Sequence, residues 1–328
     1  MNVSANNPAA VKVELNPWYM VNNDTRELHF LSYLKHVKEI RVVENEDLEP
    51  LSIVVNGHLL AMIDPYDSWE GCSIRRRGRM MSTVQSLEPC IVFKYQYRRG
   101  ADYPRGTISA GYPCLREIEV PPDLLTRPRP IDVTARMRVN HDYLWGRDVE
   151  WMLARSAIVE QAKVLSEEGY NCRFGFASGE QYESELWDCR VGFVWRGAGY
   201  LTHRLIEYIR AGVVPITCAF GEEWPVREDV VLEDGVHGIF CSDPQEFAGE
   251  AKSLLRDPAK LQRIRRNLLD LWQEKLAPAA QGFWIWQKLK AARRGYQVAA
   301  LKKVLAKSQR FSARFQNVDT QAKVKRMI

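Results

Sequence analysis

From Ile131 onward the chain alternates short β-branched apolar runs with helix-length segments, and that alternation constrains its fold more than any other feature. The order is IDVTARMRV, a helix from about Asp148 to Glu168, NCRFGFAS, a helix over QYESELWDC, VGFVW, a short helix after Arg196, and VVPITC. HGIFC and the helices EFAGEAKSLLRD and AKLQRIRRNLLDLWQEKL follow. Strands joined by helices of this length imply right-handed crossovers and a parallel sheet covered on both faces, so the second half is expected to be a doubly wound α/β unit. The first half has a different texture. AVKVEL, LSIVV, HLLAMID and CIVFKYQY read as strands, the middle two joined by the hairpin pair Asn56-Gly57, with LHFLSYLKHV as a helical candidate among them. PPDLLTRPRP places four prolines in ten residues, which suits a linker between two domains. A chain of 328 residues with 46% hydrophobic content can bury two such cores.

In open α/β sheets ligands collect where strands end and helices begin. VGFVW ends in that way, at RGAGYLTHRLIEYIRAGVVPI. Gly197 and Gly199 permit close backbone approach, Thr202 is a good helix N-cap, and the free N–H groups of the first turn attract phosphate. Arg204, in that first turn, is placed to reach a phosphate. Glu207 shares its face one turn deeper, where a carboxylate can accept from both hydroxyls of a ribose. The residues alone leave a second reading open, an exposed ion pair three residues apart that contributes a few tenths of a kcal/mol.

Gly-x-Gly-x-x-Thr-x-Arg-x-x-Glu followed by Ala211-Gly212-Val213-Val214-Pro215-Ile216 resembles the donor-binding segment of GT-B glycosyltransferases, especially the exostosin-like and CgeB-like bacterial and phage members. The likeness runs from Pro130 to about Leu276, through Ile131-Asp132-Val133, EQYESELWDC, and the stretch from Gly235 to Asp243-Pro244. It implies a GT-B-like α/β fold of two domains; with the boundary at the proline-rich stretch, residues 1–125 fall on the acceptor side and 126–280 bind the nucleotide sugar, while the charge pattern makes 281–328 a basic helical tail. It also implies that Glu207 holds the ribose, that Thr202 and Arg204 lie near the diphosphate with His203 beside them, and that the nucleotide-diphosphate sugar is a co-substrate with no further cofactor. Two departures stand out. Gly199 occupies the position eight before Glu207 where many such enzymes have a second Glu, and Ala135-Arg136-Met137-Arg138 replaces the usual Gly-Arg turn after the first strand. Arg136 or Arg138 is the expected phosphate contact in its place.

A base for deprotonating an acceptor hydroxyl is expected from the first domain, and IDPYDSWEG supplies Asp64 and Asp67 at a strand end. Aspartates bonding their own backbone in an ordinary turn are the alternative. No metal site is expected, since there is no Asp-x-Asp and the six histidines include no pair at ligand spacing. Seven scattered cysteines with no C-x-x-C point to reduced thiols, and the absence of a signal peptide or long apolar run points to a cytoplasmic protein. Charge is concentrated at one end. From Lys288 to Ile328 there are 12 Lys or Arg and one acid, Asp319, a net of +11, which leaves the preceding 287 residues at −6 within the chain's +5. With the clusters Arg75-Arg76-Arg77 and Arg98-Arg99, such a tail suits a polyanion partner, either DNA or an anionic lipid surface. The resemblance implies a surface-glycan or lipid precursor, or a hydroxylated DNA base, as the acceptor. Two rival functions fit less of the sequence. A nicotinamide-dependent oxidoreductase lacks its third glycine, replaced by Thr202, and a non-enzymatic nucleic-acid binder leaves the organised loop before Thr202 unexplained.

Overall fold

The computed structural model describes residues 11–15, 33–45, 47–48, 52–64, 90–111, 120–137, 139, 149–196, 201–218 and 224–295. They form two sheets. The first is mixed, six strands in the order β2-β1-β3-β4-β5-β6: β1 (Val11–Leu15), β2 (Ile40–Glu44), β3 (Ser52–Val55), β4 (His58–Asp64), β5 (Ile91–Lys94) and β6 (Thr107–Ser109). β3 and β4 pair antiparallel through Asn56-Gly57, where both residues have positive φ as the turn demands, while β4, β5 and β6 run parallel. Two of these strands carry little sequence signal: β6 is only three residues, and β2 is a half-exposed edge strand set among charges.

The second sheet is wholly parallel, as the alternation predicts. Its order is β11-β10-β9-β7-β8, from β7 (Ile131–Ala135), β8 (Cys172–Phe174), β9 (Cys189–Phe193), β10 (Val214–Cys218) and β11 (Ile239–Cys241). The helices are α1 (Val149–Glu167), α2 (Gly179–Trp187), α3 (His203–Ala211), α4 (Phe247–Arg256) and α5 (Pro258–Leu271). α5 ends earlier than its sequence suggests, passing into a π-helical turn at Trp272–Leu276, and α6 then runs over residues 278–295.

α3 shows why this segment folds as it does. The Thr202 hydroxyl accepts from the Leu205 N–H at the start, and Gly212 closes the helix in the left-handed region at φ 60°, open to glycine at no steric cost. Between them Leu205, Ile206 and Ile209 are buried, each contributing about 1.5–3 kcal/mol. Arg129 and Arg265 satisfy the C-terminal carbonyls, Arg129 donating to Ala211 at 2.7 Å and Arg265 to Gly212 at 3.2 Å.

α6 packs back against the first sheet. Ile285 and Leu289 are buried, the Trp284 ring meets Phe93 edge-on at 5.9 Å, and Trp286 Nε1 donates to Glu39 at 2.6 Å. The approach is so close that a Cβ on Gly282 would meet the Tyr33 carbonyl oxygen. At the seam, buried Arg227 is bidentate to Asp229 and donates to the Lys275 carbonyl and Gln281, with its guanidinium 5.0 Å from the Trp284 ring. Residues 296–328, most of the basic tail, lie outside the described residues. Among the described residues no helix is long and apolar enough to cross a membrane.

Candidate functional site

β7 has β8 on one side and β9 on the other, so the connections leaving it and returning past it run in opposite directions. At that reversal the loops after the strands part, leaving a crevice at their C-terminal ends. A cavity of about 320 Å³ opens beside it, lined by Arg136 and Met137 after β7, the loop from Gly175 to Gly179 after β8, Arg155 of α1, Tyr182 of α2 and Arg204 of α3. Three of the described lining residues are arginines and none is an acid. Ser178 caps α2 by accepting from the Gln181 N–H, so that helix also presents its N-terminus there.

The electrostatics suit an anion. Burial, followed by the like charge of Arg204, lowers the Arg155 guanidinium to about 10, so the folded protein disfavours the charge it holds there. Arg204 lies 5.6 Å from the Tyr182 ring, a cation–π distance. Its Nε and the Tyr182 hydroxyl are both buried without a partner at hydrogen-bonding geometry. Burial first, then the neighbouring Glu207 carboxylate and Tyr208 phenol, pushes the Tyr182 phenol well up and keeps it protonated. Glu207 therefore lies close to Tyr182. Arg204 and Glu207 are both half-buried, which is not the exposed surface pair of the alternative reading.

Arg136 lines the cavity, but its guanidinium is engaged. It is bidentate to Glu185 at 2.8 and 2.7 Å and donates to the Phe174 carbonyl at 2.7 Å, tying β7 to α2 and to the end of β8. Burial alone would raise Glu185, but the bonds from Arg136 and Gln181 outweigh it and hold the carboxyl below its ordinary range. A carboxyl depressed in the folded state contributes stability above its unfolded value, and that stability is lost as pH falls through the folded value. Replacing Glu185 by Gln is therefore expected to flatten the decline in melting temperature between pH 6 and pH 3; an unchanged slope would show that the pair carries no acid sensitivity.

Thr202 caps α3, His203 opens it half-buried, and Arg204 and Glu207 follow on its first two turns. Arg138, Gly197, Gly199 and Asp67 lie outside the described residues. Asp64 ends β4 with a side chain 1% exposed, its Oδ2 2.9 Å from Lys94 Nζ, itself fully buried at the end of β5. Arg155, Tyr182 and the Gly175–Gly179 loop are additions from the structure. FGFASGE does carry a signal, since a strand, a glycine and a hydroxyl cap before a helix repeat the grammar of the stretch before α3. Arg155 has none, sitting mid-helix among residues of helical spacing. Among the described residues no three His, Cys, Asp or Glu side chains converge on a point that would hold a metal ion.

No protein-family model matches the chain, and no curated protein sequence matches it. Among solved structures it is similar to Anabaena HepE in complex with UDP, at a TM-score of 0.45 and 14% identity over 70% of this chain and 72% of that one. It is also similar to the pneumococcal O-GlcNAc transferase GtfA in complex with UDP and GlcNAc, at 0.39 and 11% over 79% and 54%. A third is S. aureus TarM, in a complex containing UDP, at 0.40 and 8% over 65% and 46%.

Proposed function

We propose that the chain is a GT-B glycosyltransferase that transfers a sugar from a nucleotide-diphosphate donor to a hydroxyl acceptor. The observation that carries the reading is the cavity lined by Arg136, Arg155 and Arg204, with no acid among its described lining residues, beside the topological switch of a parallel sheet and adjoining a helix capped at Thr202. The resemblance of that helix segment to GT-B donor sites supports it, and the exostosin-like and CgeB-like grouping belongs to the same proposal.

The roles of the residues are part of the same proposal. The N–H groups of the first turn of α3, with Arg204 and Arg155, face the diphosphate, and their fixed positive ends stabilise the charge that grows on it as the glycosidic bond breaks. Glu207 accepts from the ribose hydroxyls. For Gly197 and Gly199 close backbone approach to the donor, for His203 a place beside the diphosphate and for Arg138 a phosphate contact are proposed from the sequence and its resemblance alone. Arg136, committed to Glu185 and the Phe174 carbonyl, ties the cavity walls to one another. The base is assigned to Asp67, since Asp64 is occupied by Lys94. The division into acceptor-side residues 1–125, donor-binding 126–280 and a basic tail 281–328, and recognition of a polyanionic acceptor or surface by that tail, are parts of this proposal.

UDP, present in all three structures above, is the first probe, with GDP and TDP beside it. By calorimetry, wild-type protein should bind one of these diphosphates, and Glu207→Ala should weaken it by about 1–3 kcal/mol while remaining folded. Because the arginines and helix N–H groups balance the diphosphate charge, binding and donor-sugar release should persist in excess EDTA. A wild-type protein that binds no nucleoside diphosphate, or a folded Glu207→Ala protein of unchanged affinity, would sink the assignment; activity lost to EDTA and restored by Mn²⁺ would replace the arginines with a metal.

A further inference from the structure

Gln96 lies two residues beyond β5 in the first sheet and is 2% exposed. Its Nε2 donates to the Leu201 carbonyl at 2.6 Å, and its Oε1 accepts from the Leu201 N–H at 3.0 Å. One side-chain amide thus takes both main-chain groups of a residue 105 positions away, as a neighbouring strand would. Leu201 is itself buried and directly precedes Thr202, the cap of the helix that carries Arg204 and Glu207. The other hydrogen bonds between the β6 end and the segment after Trp224 hold the same two halves together elsewhere. Ser109 Oγ donates to the Pro225 carbonyl at 3.2 Å, and the Glu228 N–H donates to the Ser109 carbonyl at 3.0 Å, neither touching a residue next to α3.

We propose that Gln96 is a positioning residue for the donor site: it fixes Leu201, and through it the first turn of α3, at the height that nucleoside diphosphate binding requires. The inference rests on the nucleotide reading above. Gln96 acts through the main chain of Leu201 and makes no contact with the ligand. Because both members of the pair are buried and both polar groups of Leu201 are committed to it, the amide is specific. A methylene side chain of equal size leaves two main-chain groups unsatisfied, and the turn must shift to rehydrate them. A small displacement of the N–H groups that face the diphosphate is enough to weaken binding sharply.

The test uses UDP, or whichever of UDP, GDP and TDP the wild-type protein binds, with three variants of the full chain. Gln96→Leu is expected to weaken binding about tenfold and to speed amide exchange over residues 201–206. Ser109→Ala, which loosens the seam away from α3, is expected to stay within about twofold of wild type. Gln96→Glu supplies a conditional rescue. Its protonated acid can donate to the Leu201 carbonyl and accept from its N–H, whereas the carboxylate only accepts and repels that carbonyl. The ratio of its dissociation constant to that of wild type, measured at each pH, is expected to be near one at pH 5 and to rise towards pH 8. Should Gln96→Leu fold and bind as wild type does, or the Gln96→Glu ratio stay flat with pH, Gln96 is a packing residue and the inference is overturned. Wild-type protein that binds none of the three nucleotides overturns the nucleotide reading itself, and this inference with it.

Discussion

Replacing Arg155 by methionine is expected to weaken nucleoside diphosphate binding roughly 10- to 150-fold, about 1.5–3 kcal/mol for the loss of a charge-assisted hydrogen bond inside a partly buried cavity. The same substitution is expected to leave the melting temperature of the ligand-free protein unchanged or raised. Both effects have one cause. Burial and the neighbouring charge of Arg204 lower the Arg155 guanidinium from its ordinary value to about 10. A cation lowered in this way is less favourable folded than unfolded at every pH below that value, so removing it relieves the apoprotein. An anion in the cavity reverses the balance, because it favours the protonated form and separates the two like charges. Calorimetry with UDP and a thermal melt without it read the two halves independently. A variant that loses stability and keeps its affinity would make Arg155 a structural residue and return the cavity to the packing of α1.

Replacing Lys94 by methionine is expected to destabilise the fold by about 3–5 kcal/mol, because it removes the buried ammonium that the buried carboxylate of Asp64 meets. The pair is closed off at the ends of β4 and β5, 2.9 Å apart, with both side chains essentially inaccessible. The double variant Lys94→Met, Asp64→Leu is expected to recover most of that loss, since both charges of the pair are removed and the side chains keep nearly the same number of heavy atoms. Urea unfolding of the wild type, both single variants and the double gives the coupling directly. A Lys94→Met protein within about 1 kcal/mol of wild type would show that Asp64 is solvated at the seam, and would restore it beside Asp67 as a base for the acceptor hydroxyl. With the pair intact, the Asp64 carboxylate is buried and engaged by Lys94, whereas proton abstraction needs a carboxylate within reach of the acceptor hydroxyl.

The contrast between these two sites shows what local sequence can and cannot carry. Thr202 and Gly212 bracket α3 within eleven residues, and a cap, a left-handed glycine and an apolar stripe are all local signals, so that helix and its neighbouring strands are legible in the sequence. The same holds for the parallel sheet, whose alternating strand and helix lengths admit few other arrangements. Asp64 was legible as a strand-end aspartate, but nothing near it in sequence says that Lys94, on a parallel neighbour one crossover later, closes over it. β2 and β6 were missed because an exposed edge strand and a three-residue strand have almost no period to read.

By itself, then, the sequence determined the elements of the second half, their order, the caps of α3 and the concentration of positive charge after Lys288, all of which depend on residues within a turn or a strand of one another. Only the tertiary structure decided what those elements meet. Arg136, Arg155, Tyr182 and Arg204 come from three helices and a strand end, and they line one cavity because parallel crossovers deliver every strand's C-terminus to the same edge of the sheet. The grip of Gln96 on Leu201 spans 105 residues and two sheets. Side-chain chemistry is written residue by residue along the chain, but convergence between distant residues is set by which strands lie side by side, and that is settled only when both faces of each sheet are buried.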